Sequence, residues 1–166
     1  MSLSSTALYS TIWLALLLFC AGEVGRARRE TSPWAWWTYA AGAILCVIHI
    51  TIAMGVTHGW SHDAAIAATA RQTRAVYGIE WGGGVYVNYA FVAVWLADAW
   101  RWRRQGLLHS HDPDAMTWAT RIFFLIIILN AAVVFASPAR RLVGILLIAC
   151  LLWLWRPAVR YGKVAN

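Results

Sequence analysis

The histidines are the residues through which this chain could do chemistry. His58 and His62 stand four apart in the segment Thr57-His58-Gly59-Trp60-Ser61-His62-Asp63, and Glu80 follows at a distance. Two imidazoles with neighbouring carboxylates suit zinc or copper, so His58, His62, Asp63 and Glu80 form the metal candidate, which His49 could complete. Gly59 interrupts helical register between the two rings, and helix capping or interfacial hydrogen bonding would employ the same residues. His49 is the sole ionisable residue of a long apolar run. There it could carry a proton, bind a metal, or serve as axial ligand to a haem or a chlorophyll-like pigment. No other apolar run offers a histidine, so any haem would have one ligand from this chain.

Asn88 and Asn130 also fall within apolar runs, where an unpaired polar group costs several kcal/mol. Counted inward at ~1.5 Å per residue, His49 lies about 12 Å deep, Asn130 about 10 Å and Asn88 about 6 Å, all from the same side. Packing is the preferred expectation for all three. Such side chains bond across helix interfaces for ~0.6–2 kcal/mol, and His49 shares a face with the small residues Gly42, Cys46 and Ala53. A metal site at His109-Ser110-His111-Asp112 is a weaker candidate, because Asp112 fits a helix cap. Asp98, three residues before Arg101, is expected in a local ion pair. Cys20, Cys46 and Cys150 sit in apolar runs without a CxxC pair and read as packing residues. No nucleophile elbow, phosphate loop or dinucleotide fingerprint is present.

The elements that carry these residues are membrane spans. The 166 residues are 61% hydrophobic and 13% charged, against about a quarter charged in soluble domains, and the charges fall in clusters between apolar runs. The expected fold is all-α: a polytopic membrane protein of about five spans, 6–22, 35–57, 84–100, 118–136 and 138–155, in a single membrane domain. The first is expected to be a retained helix, since no basic residue precedes it and no cleavage pattern stands out. Asp112 and Pro113 read as the start of the fourth span's helix, and Ser137-Pro138 as the start of the fifth.

Ten basic residues (Arg26, Arg28, Arg29, Arg101, Arg103, Arg104, Arg121, Arg156, Arg160 and Lys163) flank one side, whereas Arg71, Arg74, Arg140 and Arg141 flank the other. The positive-inside rule then puts the N-terminus outside and the C-terminus in the cytoplasm, with a bacterial inner membrane the expected location. Trp34, Trp36, Trp37, Trp100, Trp102, Trp118, Trp153 and Trp155 fall near the cytoplasmic edge and read as interfacial anchors. The net charge of +7 is spent on orientation and lipid headgroups; nucleic acid is not an expected partner.

The outer loop 58–83 is too long for a plain connection. Ser61 can cap an interfacial, extracytoplasmic helix over 62–77, and Gly78 can end it. His62, Ile66, Thr73 and Tyr77 share one of its faces, away from Arg71 and Arg74. The helix is rich in alanine, which suits packing on protein better than insertion into lipid. The favoured function is a non-catalytic accessory subunit of a larger membrane complex, with an electron-transfer assembly as the leading example. The alternative is an outward-facing metal-, haem- or pigment-binding protein using His49 and the His58/His62 pair. A small transporter ranks third, for want of charged residues in mid-membrane.

Overall fold

A computed structural model describes residues 3–28, 33–105 and 113–156 of the chain. Its helices are α1 (Leu3–Ala27), α2 (Trp34–Ile52), α3 (His62–Tyr77), α4 (Gly84–Gln105), α5 (Ala115–Leu129) and α6 (Pro138–Trp155). Four continuous helical stretches, Thr6–Ala27, Trp34–Thr57, Ala115–Val134 and Pro138–Trp155, are long and apolar enough to cross a membrane. With 22 residues, α4 matches them in length, but its last turns carry Asp98, Arg101, Arg103 and Arg104.

Local chemistry explains most helix boundaries. The Ser61 hydroxyl accepts from Ala64 N at the start of α3, and Gly78 ends that helix in the left-handed region at φ 74°, a conformation that costs a residue without Cβ little. At the start of α6, Pro138 takes the first turn after Ser137. Asp112 lies outside the described residues, as do His109 and His111. The cap of α5 is Asp114, and Pro113 precedes the helix rather than opening it.

Asp114 Oδ1 accepts from both the backbone N (2.8 Å) and the hydroxyl (2.7 Å) of Thr117. These bonds, with Arg101 alongside, hold its carboxyl below the usual carboxylate range. A carboxyl whose pKa is lower in the folded than in the unfolded state stabilises at neutral pH and loses that contribution as pH falls below about 4. Asp114→Ala should therefore cost about 1 kcal/mol at pH 7. The gap between variant and wild type in denaturant titrations should close as the buffer is taken below about pH 4.

Two of the long apolar helices change pitch at the same end of the bundle. A π-helical turn, Ala53–Thr57, continues α2, and another, Asn130–Val134, continues α5. Just beyond the first, Gly59 and Trp60 both take positive φ (56° and 62°), and Trp60 N bonds back to Met54 O. This tight reversal lets α3 fold back over the end of the bundle.

The core is aromatic. Trp95 of α4 is wholly buried against Phe19 of α1, Tyr39 of α2 and Phe124 of α5, with ring centroids 5.2–6.0 Å apart. Small residues permit the close approaches. A Cβ on Gly22 would lie 2.7 Å from Tyr39 Cβ, and one on Gly42 would lie 2.9 Å from the Trp95 ring. Two of the expected interfacial tryptophans turn inward instead: Trp102 and Trp155 are buried. Trp34, Trp37, Trp100 and Trp153 remain largely exposed.

Candidate functional site

At the end where α2 and α5 change pitch lie two spaces with lining residues in common. An inner cavity of about 160 Å³ is bordered by His49, His58, Met54, Asn88, Tyr89 and surrounding aliphatic groups. It shares His49, Asn88 and Thr69 with a wider cleft of about 1080 Å³. The walls of the cleft are apolar, built from Ile12, Trp13 and Leu16 of α1 and Ile126 and Ile127 of α5. Its roof is more polar, because α3 contributes Thr69, Gln72, Thr73 and Tyr77. Such a shape, mostly apolar with a few polar groups, is that of a ligand site.

His49 has two polar neighbours on α1, the Thr11 hydroxyl and the Leu8 backbone. Thr11 Oγ1 lies 2.9 Å from Ala7 O and 3.0 Å from Leu8 O, so its single proton goes to its own helix backbone. The Thr11 oxygen is then an acceptor for His49 Nδ1–H at 3.1 Å. That tautomer leaves a lone pair on Nε2, which has no partner among the described residues. Asn88 also lines both spaces, and its amide is likewise without a described partner. Asn130 differs: its Oδ1 accepts from Tyr77 O–H at 2.6 Å and its amide donates to Ile126 O, so it joins the end of α3 to α5.

The four residues of the metal candidate have separate employments. His58 borders the inner cavity. His62 opens α3, stacks on Tyr89 and lies 3.3 Å from the Tyr86 hydroxyl. Asp63 is exposed in the first turn of α3, and Glu80 pairs with Arg74 at 3.2 Å on the surface. Among the described residues, no three His, Cys, Asp or Glu side chains are grouped so as to hold a metal ion.

The opposite, arginine-rich end holds a constellation that the spacing of residues did not reveal. Glu23, expected in a charged flank after the first span, belongs to α1 and is buried. It accepts from Arg26 Nη1 (2.9 Å), Arg121 Nη2 (3.4 Å) and the Trp155 indole. Asp98 does pair with Arg101 at 2.9 Å, as its spacing implied. It also accepts from Arg26 Nη1 and the Tyr39 hydroxyl, each at 2.9 Å. Arg101 continues to Thr117 and Asp114. Arg26 sits 4.4 Å over the Trp102 ring, and Arg121 lies over Trp118 and Trp155. One bonded cluster thus reaches α1, α2, α4, α5 and α6. Every carboxylate in it is paired, which suits a structural clamp. A local signal existed, the Glu23-x-x-Arg26 spacing on the extension of an apolar run, but only the fold brings Asp98, Arg121 and Trp155 to it.

Comparison with protein-family models, with curated proteins and with solved structures yields no match to this chain.

Proposed function

We propose that this chain is a non-catalytic binding protein of the membrane that holds an elongated, mainly apolar ligand in the cleft beneath α3. One observation carries the reading: His49 Nε2 and the Asn88 amide border the same largely apolar space, and neither has a partner among the described residues. A polar group left in apolar surroundings is costly unless a ligand meets it. The lone pair of His49 would be given either to an O–H or N–H of the ligand or to the metal of a haem-like or pigment ring. Fixing the second ring nitrogen by a hydrogen bond, as Thr11 does, orients an imidazole for either role. The reading takes α4 as a fifth span. Trp95 puts its middle in the core beside α1, α2 and α5, and the ionic cluster aligns its end with theirs. The arginine-rich end then faces the cytoplasm of a bacterial inner membrane and α3 lies outside.

A second reading, an accessory subunit of a larger membrane assembly such as an electron-transfer complex, is favoured by the outer surface of α3. Ala64, Ala67, Arg71, Arg74 and Ala75 are exposed there, a face of alanines and arginines that another protein could cover. Gentle extraction in mild detergent reports on both. The binding reading expects an apolar compound in solvent extracts of the purified protein, or an absorption band. Its occupancy should fall at least tenfold in a His49→Leu, Asn88→Leu variant that elutes as wild type does. A ligand-free protein, or one whose ligand survives that double substitution, would sink the reading. A stoichiometric second chain in the eluate would favour the subunit role.

A further inference from the structure

Among the described residues, the wide cleft beneath α3 is bordered by one residue of fixed charge, Arg140 of α6, and by no Asp or Glu. The adjacent Arg141 is exposed and gives its donors to the helical hairpin: Nε donates to Val133 O and Nη2 to Ala136 O. Arg140 is held differently. Its Nε donates to Ser137 Oγ at 2.9 Å, and its guanidinium carbon lies 4.1 Å from the centroid of the Tyr9 ring, which borders the same cleft. Hydroxyl and ring together fix the guanidinium plane, and Nη1 and Nη2 have no partner among the described residues. Arg26, Arg74, Arg101 and Arg121 each pair with a carboxylate, but Arg140 pairs with none that is described. The residues before Thr6 include no Asp or Glu to neutralise it.

A single cation on a mostly apolar wall sets the charge of what can bind there. We propose, on the reading of this cleft as a ligand site, that its occupant is an amphiphile with a carboxylate head, held by Nη1 and Nη2 of Arg140. Two N–H groups side by side in one plane match the two oxygens of a carboxylate in a bidentate pair. One guanidinium balances one negative charge. A carboxylate carries that charge, whereas a phosphate monoester carries about two at neutral pH. The apolar body of the ligand lies against Ile12 and Leu16 of α1 and Ile126 and Ile127 of α5. Arg140 reaches the cleft from α6, His49 from α2 and Asn88 from α4. An occupant that meets all three carries a second polar group besides its head.

The test uses the full chain purified in an uncharged detergent, with bound compounds extracted into solvent and identified by mass spectrometry. The occupant of the cleft is the compound lost from the His49→Leu, Asn88→Leu variant. It should be a carboxylic acid, recognised by its conversion to a methyl ester. Arg140→Gln removes the charge and should lower the occupancy per chain about tenfold or more, the worth of a charge-assisted bidentate pair. Arg140→Lys keeps the charge without the fork and should fall between Arg140→Gln and wild type. Arg141→Gln should keep wild-type occupancy. If Arg140→Gln does not elute as wild type does, the reduced occupancy of Arg140→Lys decides. A neutral occupant, a phosphate-headed lipid, a carboxylate retained in folded Arg140→Gln, or equal losses in Arg140→Gln and Arg141→Gln would overturn the proposal while leaving the cleft a ligand site. A wild-type protein with no compound that depends on His49 and Asn88 would overturn both.

Discussion

Replacing Asp98 by alanine should lower the stability of the protein by about 3–5 kcal/mol, the cost of removing one partner from a buried ion pair. The loss should be this large because Asp98 serves three donors at once: Arg26, Arg101 and the Tyr39 hydroxyl, on three different helices. Arg26 keeps Glu23, but Glu23 also serves Arg121 and Trp155 and cannot balance both cations. Asp98→Asn retains the shape and one acceptor oxygen but not the charge, and should fall between wild type and Asp98→Ala. Unfolding in a detergent of rising denaturing strength checks both variants. A loss under 1 kcal/mol for Asp98→Ala would mean that the cluster is solvated and not a clamp.

Gly144→Leu should be the second most damaging substitution considered, at about 1–3 kcal/mol or more. A Cβ at Gly144 would run into the carbonyl oxygen of Ala132, in the π-helical turn that continues α5. A side chain in that place could rotate away; a backbone carbonyl cannot, so α6 must move off α5. Leu146, two residues on and 71% exposed, is the natural control. Leu146→Ala should leave stability within about 0.5 kcal/mol of wild type, as surface substitutions usually do. Comparing the two variants by the same unfolding assay separates the tight helical hairpin from the general greasiness of α6. Equal behaviour of the two would show that the close approach carries no weight.

What the sequence revealed was what depends on neighbours along the chain. Ser61 and Gly78 bound α3 because capping is settled within four residues, and the helix runs over His62–Tyr77 as that chemistry implies. The apolar runs told of long helices for the same reason. The π-helical turns stayed hidden because Ala53–Thr57 and Asn130–Val134 continue their apolar runs without a break in composition. The start of α5 was misplaced by two residues because Asp112 and Asp114 flank Pro113 symmetrically, and cap geometry, not spacing, selects Asp114. The largest departure was electrostatic. Arg26, Arg121, Trp102 and Trp155 looked like residues for a membrane edge, and residue type alone cannot say whether an edge residue points out to headgroups or in to a buried carboxylate. At the other end, His49 and Asn88 stood out as polar residues in apolar runs, whereas the cleft they border is made by α3 folding back over the bundle.

The Glu23–Trp155 hydrogen bond joins residues 132 apart, close to the two ends of the described chain. During synthesis at roughly 5–20 residues per second, Glu23 therefore waits on the order of ten seconds before its last partner has been made. Until Arg121 of α5 has been made, Arg26, one helical turn away on α1, is its ion-pair partner. The pair within α1 thus works as a placeholder until the distant partners of Glu23 arrive. The order of translation, helix by helix, then dictates the order in which the clamp closes, with α6 arriving last.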